Sequence, residues 1–183
     1  MALHLVRHGP PLMDPSVPAS QWQLDPDQER AVRDLAASGV LPDDARWVSS
    51  DEPKALQTAR LLAGDAPVEV REELREQYRP AGWVDAYAVR VHRSLTRPGE
   101  PAEDGWETAD STRARVVHAV QQLVEETPGD LVVVGHGTAW TLAVSDLTGA
   151  PVDLVAWERM LMPDHCAIEG RRVVRRWGDW HRP

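Results

Sequence analysis

Apolar residues fall into two rhythms along this chain. Residues 2–6 (Ala-Leu-His-Leu-Val) form a short run with almost no polar face, which predicts a buried strand. Residues 131–134 (Leu-Val-Val-Val) repeat that design late in the chain, with helical spacing resuming from Thr138 to about residue 148. Between them Asp25-Pro26-Asp27 opens a helix, with Asp25 as cap and Pro26 at the first helical position. Its inward face is Ala31, Val32, Leu35 and Ala36, and Gly39 ends it. Residues 46–49 read as a short strand. The Ser49-Ser50-Asp51-Glu52-Pro53 stretch then starts a helix that runs to about residue 63. Val68-Glu69-Val70 alternates, as a strand towards a sheet edge would. A long helix is predicted over about 108–126 from Val116, Val117, Val120, Leu123 and Val124, with Pro128-Gly129 as its stop.

The remaining stretches are less regular. Residues 9–25 carry Pro10, Pro11, Pro15 and Pro18 and must be loop. Residues 83–95 are compatible with a helix, 97–101 are loop, and Cys166-Ala167-Ile168 with 172–177 suggests a terminal hairpin. Strands alternating with helices of ten or more residues predict an α/β fold around a mainly parallel sheet, in one domain over 1–183.

Charge narrows the partners. A formal net charge of −9 argues against a nucleic-acid backbone as ligand. Arg171, Arg172, Arg175, Arg176 and Arg182 gather near the C-terminus and read as a solvated face. The single cysteine, Cys166, excludes an internal disulfide. No apolar run approaches the ~20 residues of a membrane span, and no signal-peptide core is seen, so no membrane partner and a cytoplasmic location are expected.

The chemistry sits at strand ends. Arg7-His8-Gly9 follows the first strand and Gly135-His136-Gly137 follows the late one. If the two strands are neighbours, both imidazoles face one crevice at the C-terminal edge of the sheet, where α/β domains place their ligands. Neutral imidazole is a good nucleophile towards phosphorus, and it needs cations around the transferring group. Arg7 can fork onto two phosphate oxygens. Gly9 is expected to leave its N–H free for an anion. His136 is expected to donate to the same oxygens as an imidazolium.

Five segments in order then resemble the histidine phosphatase superfamily, in the branch of phosphoglycerate mutases and small phosphatases. They are Leu5-Val6-Arg7-His8-Gly9, Ser49-Ser50 with Lys54-Ala55-x-Gln57-Thr58-Ala59, Leu74-Arg75-Glu76, Gly105-Trp106-Glu107-Thr108 with Arg115, and Gly135-His136-Gly137. The resemblance implies a phosphoglycerate mutase-like three-layer α/β/α sandwich and no metal or cofactor. It implies His8 as the nucleophile that becomes phosphohistidine, Arg7 and His136 on the phosphoryl group, and Glu76 as proton donor to the leaving oxygen. Gly9 and Lys54 join the phosphate-binding set. Such a carboxyl should have a raised pKa, and Glu73 is the next candidate for the role.

One departure is marked. Lys54 stands where the family has an arginine, keeping the charge but losing the bidentate fork. Three readings compete: it does the same work less tightly, it tunes another substrate, or it marks a decayed site. The cover between the acid segment and the long helix, residues 77–106, is short beside the longer one the resemblance implies for mutases, which favours hydrolysis because water would reach the phosphoenzyme. Trp83, Tyr87 and Trp106 offer stacking faces there, and Arg79, Arg90, His92, Arg93 and Arg97 offer cations. Asp164-His165 reads as surface loop. The expected activity is a metal-independent phosphomonoesterase acting on a phosphorylated small molecule, as a monomer or homodimer. A mutase, a phosphohistidine-protein phosphatase and a non-catalytic phosphate-binding module are the alternatives.

Overall fold

The computed structural model describes residues 1–80 and 83–181. Arg182, one of the C-terminal arginines, lies outside the described residues, as do positions 81–82 of the cover. Six strands form one sheet: β1 (Leu3–Arg7), β2 (Arg46–Ser49), β3 (Val68–Val70), β4 (Leu131–Gly135), β5 (Asp164–Glu169) and β6 (Arg172–Arg175). Their order is β3-β2-β4-β1-β5-β6. The first four run parallel, while β5 pairs antiparallel with β1 and β6 with β5. The sheet is therefore mixed, its parallel half carrying the predicted crossovers and its antiparallel half the predicted hairpin. Residues 68–70 lie at an edge, as their alternation requires.

Helices cover both faces. On one face α1 (Glu29–Ala37) and α2 (Pro53–Ala63) bury Leu35, Ala55 and Ala59 against Val6, Trp47, Val132 and Val134. On the other, α4 (Ala109–Glu126) and α5 (Gly137–Thr148) bury Val116, Val120 and Trp140 against Leu3, Leu5, Leu131 and Val133. The odd and even residues of β1 and β4 thus serve opposite cores, which is why these strands read as unbroken apolar runs. A third cluster joins α3 (Tyr87–Thr96), α4, α5 and the short α6 (Leu154–Arg159) through Val91, Leu95, Trp106 and Leu142.

The local reasons match the sequence in most places. Asp25 caps a 3-10 turn over Pro26–Gln28, accepting the Asp27 N–H, and that turn runs into α1. Thr108 caps α4 by accepting from the Ser111 N–H. Gly39 and Gly149 both take positive φ, 70° and 72°, just past helix ends. Asp164 and His165 are a correction: they are not surface loop but the fully buried start of β5, with Asp164 opposite Arg7 in the ladder. Asp164 is held there by the N–H groups of Leu161, His165 and Gly178 and by the Trp180 indole. The sequence around it shows no apolar alternation, because a carboxylate with four donors replaces an apolar side chain.

Candidate active site

β1 and β4 are direct neighbours, with Arg7 opposite Gly135, and the His8 N–H donates to the Gly135 carbonyl at 2.9 Å. The two imidazoles consequently meet edge to face, with ring centroids 5.3 Å apart. Both are buried, His8 at 6% exposure and His136 at 1%. They sit at the floor of an open cavity of about 1450 Å³ that Arg7, Glu52, Lys54, Glu76 and Arg79 also line.

The tautomer of His8 follows from its contacts. Its Nδ1 lies 2.7 Å from the Gly9 carbonyl oxygen, which only accepts, so Nδ1 carries the proton and Nε2 keeps its lone pair. Burial and the nearby charges of Lys54, His136 and Arg7 push its pKa well below the ordinary value of 6.5. His8 is a neutral imidazole, the form a nucleophile requires.

His136 departs from the imidazolium expected of it. Burial, then Lys54, drive its pKa well below 6.5 against the opposing pull of Glu76, so the ring is neutral. It can still donate. Its Nε2 meets Ser50 Oγ at 3.0 Å, while its buried Nδ1 has no hydrogen-bond partner. If the serine hydroxyl supplies that bond, Nδ1–H is left for a ligand oxygen.

Arg7 is held by its Nη1, which donates to the Met160 carbonyl at 2.6 Å, while its Nε has no hydrogen-bond partner. A Cβ on Gly137 would lie 3.3 Å from that Nε, so the glycine after His136 leaves room for the guanidinium. Gly9 is a correction. Its N–H is not free for an anion but donates to Thr58 Oγ1 at 2.9 Å. A Cβ there would fall 2.6 Å from Val32 Cγ2 and 2.7 Å from Leu24 Cδ1. The residue is glycine because helix α1 and the loop before it press on the strand end, not because a ligand approaches.

Glu76 and Glu73 both line the cavity, but Glu73 is exposed, whereas Glu76 accepts the N–H groups of Thr138 and Ala139 at the start of α5, each at 3.0 Å. Its pKa is not raised as expected. Burial does push it up, but Arg79, His136 and the backbone donors outweigh this and hold it below 4.5. The segment is clamped from behind by Arg115, whose Nη2 pairs with Glu107 at 2.7 Å and whose Nη1 donates to the Glu73 and Arg75 carbonyls at 2.7 and 3.0 Å. The Glu107–Arg115 spacing of the sequence is thus a brace for Glu76.

Lys54 reaches the cavity from the first turn of α2, 5% exposed. Its ammonium donates to Glu52 Oε2 at 2.5 Å and to the Ala19 carbonyl at 2.7 Å. Of the cover residues, Arg79, Trp83 and Tyr87 line the cavity, while Trp106 is buried beneath Arg79. Arg90, His92 and Arg97 turn away to Glu103, Glu158 and Glu100. Sequence reasoning missed Glu52, Ser50 as a partner of His136, and Arg79 as a floor residue. Arg79 stacks its guanidinium 4.7 Å from the Tyr87 ring and 5.1 Å from Trp106, and its Nη2 lies 3.7 Å from Glu76. Its Nε and Nη2 have no hydrogen-bond partner. Its position three residues after Glu76 was the available signal. Among the described residues no group of three or more His, Cys, Asp or Glu is placed to hold a metal ion, and no helix is long and apolar enough to cross a membrane.

This constellation sets two buried imidazoles at neighbouring strand ends of an α/β sheet, ringed by cations and a carboxylate. The sequence model of the histidine phosphatase superfamily (branch 1) matches residues 3–177, and the chain belongs to that family. Among solved structures it is similar to TTHB049 from Thermus thermophilus, at 26% identity and TM-score 0.69 over 97% of this chain and 99% of that one. It is similar to a mycobacterial glucosyl-3-phosphoglycerate phosphatase in complex with VO3, at 24% identity and TM-score 0.72 over 96% and 95%. A phosphoserine phosphatase from Entamoeba histolytica in complex with 3-phosphoglyceric acid shares the fold at 18% identity and TM-score 0.77 over 98% of each chain. No curated protein matches this chain.

Proposed function

We propose that the protein is a metal-independent phosphomonoesterase that hydrolyses a phosphorylated small molecule through a phosphohistidine on His8. The observation that carries this is the locked tautomer of His8, with Nδ1–H on the Gly9 carbonyl and Nε2 free at the cavity floor.

In the first half-reaction His8 Nε2 attacks phosphorus and the bond to the ester oxygen breaks. Arg7 and Lys54 balance charge on the transferring oxygens, and His136 Nδ1–H donates to one of them. Glu76 gives its proton to the leaving oxygen. It is ionised in the resting protein, and an arriving phosphate dianion raises its pKa by like-charge repulsion, so Glu76 takes up a proton from solvent as the substrate binds. In the second half-reaction Glu76 takes a proton from the water that attacks the phosphohistidine, and His8 and inorganic phosphate are released.

The open cavity supports hydrolysis over transfer between bound substrates, because water reaches the phosphoenzyme. At its rim Tyr78 and Trp83 are more than half exposed, and Arg79 offers unpartnered N–H donors beside Glu76. The alcohol portion of the substrate is therefore one that combines an apolar or ring surface with an acceptor near the ester.

The test is turnover of p-nitrophenyl phosphate by EDTA-treated wild type and His8→Ala, with an acid quench to trap acid-labile phosphoenzyme. Turnover and a trapped phosphoenzyme in wild type alone are expected. Residual turnover in pure His8→Ala would overturn the covalent mechanism.

A further inference from the structure

Lys54 is the only lysine among the chain's Lys and Arg residues, the other 19 being arginines. It stands in the phosphoryl pocket, and it is already paired. Glu52, 5% exposed, places Oε2 2.5 Å from the Lys54 ammonium. Its Oε1 accepts the Glu76 N–H at 2.9 Å and lies 3.6 Å from His136 Nε2. A carboxylate is thus built into a pocket otherwise suited to an anion. With both imidazoles neutral, the floor holds three cations, Arg7, Lys54 and Arg79, against two carboxylates, Glu52 and Glu76.

We propose that Glu52 is a resident counter-anion that competes with phosphate for Lys54 and so limits how tightly the site holds phosphate. The inference rests on the reading of this cavity as a phosphoryl site. The ammonium has three donors, of which Glu52 and the Ala19 carbonyl take two. A phosphate oxygen can approach the third, but it meets a cation whose charge is balanced and a carboxylate of like sign behind it. Full engagement of Lys54 requires the ammonium to turn away from Glu52. A lysine suits this exchange because its point charge moves freely, whereas an arginine fork would hold both anions rigidly. The consequence is weak retention of inorganic phosphate, the product of the proposed reaction.

Binding of inorganic phosphate by calorimetry tests this in wild type, Glu52→Gln, Lys54→Met and the double variant. Glutamine keeps an oxygen for the Glu76 N–H, while its NH2, which only donates, replaces the oxygen that accepts from Lys54, so the charge and that hydrogen bond are both removed. Glu52→Gln is expected to bind phosphate about tenfold tighter, and the double variant no tighter than Lys54→Met. Equal or weaker binding by folded Glu52→Gln overturns the proposal, and so does a gain that survives in the double variant. A second measurement needs no variant at Glu52. Protein labelled with ¹⁵N-lysine gives one side-chain signal, that of Lys54, which should shift as phosphate saturates wild type. An unmoved signal at saturation overturns the exchange. Wild type that neither binds phosphate nor turns over would instead overturn the phosphoryl reading and the proposal with it.

Discussion

Gly135→Ala tests whether one indole holds the two histidine-bearing strand ends in register. Trp140, fully buried on α5, lies against the backbone of Gly135 and donates its indole N–H to the Val6 carbonyl at 2.8 Å. It therefore touches β4 just before His136 and β1 two residues before His8. A Cβ on Gly135 would sit 2.5 Å from Trp140 Cζ2, 3.0 Å from Cε2 and 3.2 Å from Cη2. Carbon atoms settle about 3.5–4.0 Å apart, so the ring or the strand must give by roughly 1 Å. Overpacking of this kind costs about 1–3 kcal/mol. Losing the indole hydrogen bond adds about 0.5–1.5 kcal/mol. A total of about 2–4 kcal/mol is a large share of a typical domain's stability. Urea unfolding should show it as a lower midpoint at unchanged slope. Turnover measured far below that midpoint should fall by about 10²-fold, because misplacement of about 1 Å at reacting groups has that effect. Trp140→Phe alone should destabilise, yet in the Gly135→Ala background it should recover part of the loss by making room for the methyl. A loss below about 0.5 kcal/mol in Gly135→Ala, or strictly additive effects in the pair, would refute the reasoning.

Three further outcomes follow from the same geometry. Burial holds His165 down to about 3 from 6.5. The unfolded chain takes up its proton near 6.5 while the folded chain does not. Stability is thus full above 6.5 and declines below it, by about 2 kcal/mol between pH 7 and pH 5 from this residue alone. His4, His8 and His136 shift in the same direction, so equal unfolding midpoints at pH 7 and pH 5 would refute the assignment. Glu76→Gln should lower turnover of an alkyl phosphate by about 10²-fold or more but that of p-nitrophenyl phosphate far less, since nitrophenolate leaves without a proton. Equal losses on both esters would remove Glu76 as proton donor. Arg115→Met should lower kcat about tenfold by releasing the segment behind Glu76, with inorganic phosphate affinity kept. Parallel loss of phosphate affinity would place Arg115 in the anion site itself.

How much of this was legible in the sequence depends on how local the cause was. β1 and β4 were readable because each residue in them is apolar for its own reason, facing one core or the other. Neither His8 nor His136 was readable alone, since a strand end can hold a satisfied histidine, but the two together with Arg7 and the Lys54 segment were, and the family resemblance then ordered the five segments. What the sequence hid is pairing at a distance. Gly9 looked like a residue for a ligand, yet its neighbours Val32, Leu24 and Thr58 come from three other segments. Asp164 looked exposed because its donors lie in two loops that only the folded chain brings together. Glu76 looked like a carboxyl with a raised pKa, because the helix start that donates to it lies 62 and 63 residues on. Glu52 is the sharpest case. Beside Asp51 it reads as one more acid at a helix entry, and only its burial against Lys54 turns it into part of the site. A positive charge located by motif therefore says where an anion can bind. How strongly it binds is set by which acids the fold has already placed beside that charge.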